Sequence, residues 1–266
     1  MSTTPPPSPS RLDGLRFAFG TLSVLPVEVS RWDRETARGG MLSAPLVGVV
    51  IGGCAGLAGL LLLVLGASPL LAAVGTVAVP AVMTRGLHLD GLADTADGLG
   101  SGKPPADALR IMKQSDIGPF GVLSVVFVLF AQVAAVAQLY GESWGRGVVA
   151  AVVSATAART ALTSAAREGV PPARPEGLGA AVARVVPVRW ALGVAGAVAL
   201  GAGGSGALFS SYDVVRSVVA VVVALLAAER LLQHCVRRFG GVTGDVFGGL
   251  AETAGTATLV VLTFSF

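Results

Sequence analysis

The stretch MLSAPLVGVVIGGCAGLAGLLLLVLG, residues 41–66, decides the class of fold. A bilayer's hydrocarbon core is roughly 30 Å thick, and a helix needs about 20 apolar residues to cross it, so this run reads as a transmembrane span. Six further stretches meet the same requirement, at approximately 68–86, 118–140, 147–166, 189–209, 214–236 and 245–266. Charged residues make up only 13% of the 266, about half of the roughly 25% that a water-facing domain carries, and the mean hydropathy is +0.75. The sequence therefore predicts an all-α, polytopic membrane bundle of about seven spans, built as one domain over residues 14–266. An ordinary cytosolic enzyme does not fit. Gly and Pro are plentiful but sit inside apolar runs with no three-residue period, which excludes collagen and disorder. Cys54 and Cys235 both lie in apolar stretches and read as packing residues, not as a disulfide or a metal pair.

Two segments fall outside the spans. The polar, Pro-rich start MSTTPPPSPS lacks the apolar core of a signal peptide and opens a tail, residues 1–13, that is expected to be disordered. Leu15 to Val29 is apolar but broken by Pro26 and Glu28, and reads as an interfacial or re-entrant piece.

The net charge of +3 and the pI near 9.3 could point to nucleic acid. The distribution of the charges points to topology instead. Sixteen of the 19 basic residues fall before the first span, in alternate connections, or at the adjoining helix ends. The opposite connections hold only Arg146 and Arg216, while Arg159 falls inside the fourth span. By the positive-inside rule the N-terminus is then cytoplasmic and the C-terminus outside. The partners expected are the lipid bilayer and small molecules, with no nucleic acid.

Acidic residues are few, yet HLDGLADTADGLG brings together Asp90, Asp94 and Asp97. Offsets of zero, four and seven place them within about 60° on one helical face. Three like charges on one face repel, and a hard divalent cation bridging a polyphosphate gives that spacing a purpose. In GDVFGGLAE, Asp245 and Glu252 also share a face, with Glu252 about two turns into the last span, a depth at which an ionisable group is costly and marks function by default. The intervening loop, SGKPPADALRIMKQSDIGPFG, carries Lys103, Arg110, Lys113 and Asp116; cations there can compensate the charge of a phosphoanhydride. His88 flanks the triad off its face, and ARPEGLG offers Arg174 as a phosphate contact. On chemistry alone these features describe a membrane phosphotransferase with a carboxylate-bound metal.

The run GLHLDGLADTADGLGSG followed by ALRIMKQSDIGPFGV closely resembles the signature of the cobalamin (5′-phosphate) synthase family. FAFGTLSVLPV near the start, the Arg159 helix leading to ARPEGLG, and GDVFGGLAETA fit in order, so the likeness covers about residues 14–266. One departure is Gln114, where family members often carry Asp; Asp116 is the nearby substitute. The resemblance implies a transferase that joins adenosylcobinamide-GDP to α-ribazole or its 5′-phosphate, releasing GMP, with Mg²⁺ as cofactor and the active site at the cytoplasmic face of the cell membrane. It implies Asp90, Asp94, Asp97 and Asp245 as metal ligands and Asp94, Asp97, Asp245 and Glu252 as catalytic groups. Arg85, His88, Arg110, Lys113, Asp116, Arg159 and Arg174 would contact substrate. Association with further copies, or with other enzymes of the pathway, is left open. The rival readings are another Asp-rich membrane transferase, of CDP-alcohol phosphotransferase or prenyltransferase type, and a proton-coupled transporter.

Overall fold

A computed structural model of the chain describes residues 11–265, and its regular elements are all helices. They are α1 (Arg11–Leu22), α2 (Arg34–Val64), α3 (Pro69–Met83), α4 (Leu87–Gly100), α5 (Pro105–Ile111), α6 (Pro119–Glu142), α7 (Trp144–Ala165), α8 (Leu178–Val182), α9 (Val188–Gly206), α10 (Ser211–Phe239) and α11 (Gly244–Leu262). Of the expected tail, residues 1–10 lie outside the described residues, and the rest opens α1. The segment expected to lie at the interface becomes α1 and an irregular stretch, tied to the end of α3 by a 2.7 Å hydrogen bond from the Val24 N–H to the Met83 carbonyl.

Start signals in the sequence set most of these helices. Pro69 and Pro119 stand in the first turns of α3 and α6, where a missing N–H costs nothing. Asp33 caps α2 by accepting from the N–H groups of Glu35 and Thr36 at 3.1 and 2.9 Å. The Thr36 hydrogen bond, helped by the Arg31 guanidinium at 2.8 Å, pulls the Asp33 carboxyl down to about 2. That acid therefore stays ionised, and α2 capped, throughout the ordinary pH range.

α2, α6, α7 and α11 are long and apolar enough to cross a membrane, and α3 with α4 would make a fifth if that bent pair is one span. The outward faces support this, since Leu57, Leu61, Phe127, Phe130, Leu200 and Leu226 are all exposed, as lipid-facing side chains would be. α9 and α10 coincide with the expected fifth and sixth spans and have 19 and 29 residues. Glycines at the end of α9, and Glu229, Arg230, Gln233, His234, Arg237 and Arg238 late in α10, dilute their apolar runs. The structure thus shows a multi-pass bundle in which four or five helices are long and apolar enough to span on their own account. Cys235 is buried as expected, whereas Cys54 is exposed on α2; both thiols are free.

Close backbone contact holds the centre. Gly48, Gly52 and Gly56 recur every four residues along α2 and form a groove for α7. A Cβ on Gly48 would sit 2.7 Å from the Thr156 Cα, and one on Gly52 would sit 2.6 Å from the Val152 Cα. Thr163 Oγ1 donates to the Met41 carbonyl across the same seam at 2.6 Å. At the far end of α7, Asp213 is clamped by Arg146 (2.6 and 2.8 Å), by Arg216 (2.6 Å) and by the Ser210 hydroxyl (2.6 Å). Of the two arginines that break the charge bias, half-buried Arg146 thus staples α7 to α10 through Asp213, and Arg216, on α10 itself, completes the cluster.

The expected second span ends early. α3 stops at Met83; Arg85 and Gly86 then adopt left-handed φ of +52° and +72°, and α4 departs at 86° to α3. Gly86 takes that conformation without strain. The Asp triad accordingly rides on a separate helix packed across α11 and α6, not on an extension of the span.

Replacing Gly52 by Ala should destabilise the bundle by about 1–3 kcal/mol through overpacking at the α2–α7 seam. Gly53 has nothing within 4 Å of a built Cβ, so Gly53→Ala should leave thermal unfolding in detergent unchanged; equal melting of the two variants would refute the seam.

Candidate active site

α4 and α11 meet where neither has a side chain. A Cβ on Gly91 would lie 2.6 Å from the Asp245 carbonyl oxygen and 3.0 Å from the Gly248 Cα, and one on Gly248 would lie 3.0 Å from the Gly91 Cα. This crossing sets Asp90 and Asp94 of α4 against Asp245 in the first turn of α11. Asp94 feels the negative charges of Asp90, Asp245 and Asp97, and the opposing charge of Arg174. Thr243, the N-cap of α11, donates from its hydroxyl to Asp245 Oδ2 at 3.1 Å.

Arg174 is delivered by chain pairing. The Ala173 N–H donates to the Val242 carbonyl and the Val242 N–H to the Pro171 carbonyl, both at 2.9 Å, so this loop runs alongside the approach to α11. From there Arg174 Nη1 stands 3.9 Å from Asp245 Oδ2, while Nη2 donates to the Leu109 carbonyl and ties in α5. A cavity of about 290 Å³ opens beside these groups, bordered by His88, Asp90, Arg174, Glu176 and Asp245.

Burial rises along the triad. Asp90 is exposed, Asp94 half-buried and Asp97 buried. Asp97 accepts from the N–H groups of Gly118 and Gly121 at 2.7 and 2.9 Å, satisfying two orphan donors at the start of α6. A Cβ on either glycine would approach an Asp97 carboxylate oxygen to 2.5 Å. The third acid of the motif is thus employed in joining α4 to α6.

Glu252 is not brought to the cluster. It lies deeper, where Gln132 Nε2 donates to Glu252 Oε2 at 2.8 Å and to Thr256 Oγ1 at 2.9 Å. Arg159 is buried, senses the charge on Glu252, and its Nε and Nη2 have no hydrogen-bond partner. A cavity of about 60 Å³ lies between them, enough for a few waters. His88 is buried close to Arg159, its Nε2 also unpartnered.

The remaining expected substrate contacts scatter. Arg110 pairs with Asp107 on α5 at 2.7 Å, Lys113 with Glu176 at 3.2 Å, and Asp116 and Arg85 are exposed. Of these, the Lys113–Glu176 pair borders the cavity mouth through Glu176. Sequence reasoning missed Gln132, Gly91 and Gly248. Gln132 was detectable as a lone amide inside the apolar run of α6; the paired glycines had no such signal. Among the described residues, no group of three His, Cys, Asp or Glu side chains is already arranged to hold a metal ion.

The model of the cobalamin-5-phosphate synthase family matches residues 14–263. The chain belongs to that family. Similar proteins named adenosylcobinamide-GDP ribazoletransferase come from Frankia casuarinae, 40% identical over 93% of each chain, and from a Nocardioides species, 40% identical over 93% of this chain and 97% of the relative. A third, from Corynebacterium efficiens, is 38% identical over 90% of this chain and 87% of its own. No solved structure matches. The cobalamin synthase assignment thus agrees with the resemblance carried by the Asp-rich motif, and the α4–α11 crossing is where this member of the family assembles it.

Two outcomes test the geometry. Asp97→Ala should strip the buried Gly121 N–H of its acceptor, at about 1–3 kcal/mol, together with the half-buried Gly118 N–H, and lower the melting temperature; an unchanged melt would refute the α4–α6 latch. Single variants Arg159→Met and Glu252→Gln should each lower the melting temperature by leaving the other buried group without its opposite charge, whereas the double variant should cost less than their sum. Strict additivity in a double-mutant cycle would show that the two charges do not sense each other.

Proposed function

We propose that the chain transfers the corrinoid-bearing phosphate of adenosylcobinamide-GDP to a ribose hydroxyl of α-ribazole, or of its 5′-phosphate, with release of GMP. The observation that carries this reading is the convergence of Asp90, Asp94 and Asp245 from two helices, beside Arg174 and a cavity of about 290 Å³, in a member of the cobalamin synthase family.

These residues fit Mg²⁺ by their chemistry. Hard carboxylate oxygens crowd one another with a single arginine nearby, and Mg²⁺ characteristically takes one or two carboxylates with the rest of its shell from phosphate and water, so a preformed cage is not required. Asp90, Asp94 and Asp245 would hold the ion; Asp97, with both oxygens engaged by backbone N–H groups, would fix α6 instead. When bound, the ion supplies charge neutralisation on the diphosphate.

The protein's own groups do the rest. Arg174 positions the phosphate oxygens. A carboxylate oxygen of the cluster that does not hold the ion orients the attacking hydroxyl and receives its proton. The new bond forms between that oxygen and the corrinoid-side phosphorus, while the bond from that phosphorus to the GMP oxygen breaks and GMP leaves with the electron pair. Catalysis then rests mainly on alignment and charge compensation. Seven crossings, a cytoplasmic N-terminus and a site facing the cytoplasm of the cell membrane belong to the same reading, because the basic residues cluster at the ends from which α4 and α11 start.

The test is an assay of detergent-solubilised protein with adenosylcobinamide-GDP and α-ribazole, in Mg²⁺ or EDTA, following GMP and cobalamin. Equal, Mg²⁺-dependent formation of both products is expected, with Asp94→Ala reduced at least 100-fold while still inserted and folded. An active Asp94→Ala protein would overturn the metal assignment, and a folded wild-type protein giving no product would overturn the reaction.

A further inference from the structure

The cavity beside the acids is lined by two kinds of side chain. Asp90, Asp245, Arg174 and Glu176 bring charge to it, and Leu22, Met41, Leu162, Val182 and Phe247 bring apolar surface. Those five side chains come from α1, α2, α7, α8 and α11, and each belongs to the buried core, with at most 6% of its surface exposed. The volume, about 290 Å³, stands at the lower end of small-molecule sites, which run roughly 300–1,000 Å³. It suits one nucleoside and excludes a corrin ring with its side chains, which is several times larger.

We propose that this cavity takes α-ribazole base-first, and that Met41, Leu162, Val182 and Phe247 set which bases are accepted. The inference rests on the transferase reading. α-Ribazole joins a flat benzimidazole base, poor in polar groups, to a ribose rich in hydroxyls. Base-first entry places the apolar end on the apolar wall and the hydroxyls beside Asp90 and Asp245, as the attack requires. The guanine of the other substrate is the alternative occupant, and the apolar wall disfavours it. Its edge carries several donors and acceptors that would lose water there and gain no partner. The corrinoid and its GDP arm, too large for the cavity, therefore stay outside it, and the two substrates meet at the acids.

The wall is built into the tightest part of the bundle, with Met41 fixed by the hydrogen bond from Thr163 and Val182 on a helix anchored against α2 and α11. It selects by shape, and in such a pocket one methylene changes recognition by about 10–200-fold. Val182→Leu should raise the KM for α-ribazole at least tenfold, leave the KM for adenosylcobinamide-GDP within twofold, and penalise the nucleoside of unsubstituted benzimidazole less than α-ribazole. A shift in the adenosylcobinamide-GDP KM instead, or no shift in either, would overturn the proposal. A measurement on the wild-type protein covers the chance that the variant misfolds. Labelled α-ribazole should bind without corrinoid and resist displacement by GMP; displacement by GMP, or no binding, overturns the proposal. Wild-type protein that binds α-ribazole yet forms no product would discard the transferase reading and leave the pocket assignment standing, so the two failures are distinguishable.

Discussion

The backbones of α4 and α11 touch at Gly91 and Gly248, and the acid cluster depends on that contact. Carboxylates on different helices do not gather unaided, because each approach costs Coulomb energy that water ordinarily screens. Here the approach is enforced from behind, by two helices packed with no side chain between them. Asp90 and Asp94 cannot retreat from Asp245 without opening the crossing. The same contact sets the position of the cavity, since Gly248, Phe247 and His88 belong to the turns that meet there. The right-angled break at Arg85 and Gly86 makes the crossing reachable, because a straight continuation of α3 would carry the motif past α11.

Much of the architecture was legible in the apolar pattern. The runs at 118–140, 147–166 and 245–266 correspond closely to α6, α7 and α11, because a predominantly apolar stretch of that length has few alternatives to a helix in lipid. The run at 68–86 corresponds to α3, and the turn that follows it was not readable as a change of direction. Arg85 and Gly86 end the apolar run, and an end to apolar character does not say at what angle the next helix leaves. Gly86 was the one local sign. α9 and α10 show the reverse, since their length survives and their apolar content falls short of an unambiguous span.

The site was legible in residue type and less so in role. Helical arithmetic put the triad on one face, and it is on one face, yet the three acids end in different surroundings. A helical wheel gives an angle and says nothing about the neighbour, so it could not show that the N-terminus of α6 would lie against Asp97. For Glu252 the cost of its depth was readable, but its partner was not, because Gln132 lies 120 residues away in sequence. Arg174 was readable only as a candidate; the short pairing of residues 171–173 with Val242 brings it to Asp245.

What separates a structural acid from a functional one in this bundle is the fate of its oxygens. Asp213 meets two guanidinium groups and a hydroxyl directly, and Asp97 meets two backbone N–H groups; both are buried and both join helices. Glu252 is satisfied in part by Gln132 and faces Arg159 across a small void, an intermediate state suited to a few ordered waters. Asp90, Asp94 and Asp245 are held close together and left with one arginine among them. A fold selected for stability alone would separate or neutralise such a group, as this one does at its other end. The grouping is retained beside the cavity, and on the proposed reading a cation with a polyanionic substrate would turn that repulsion into binding.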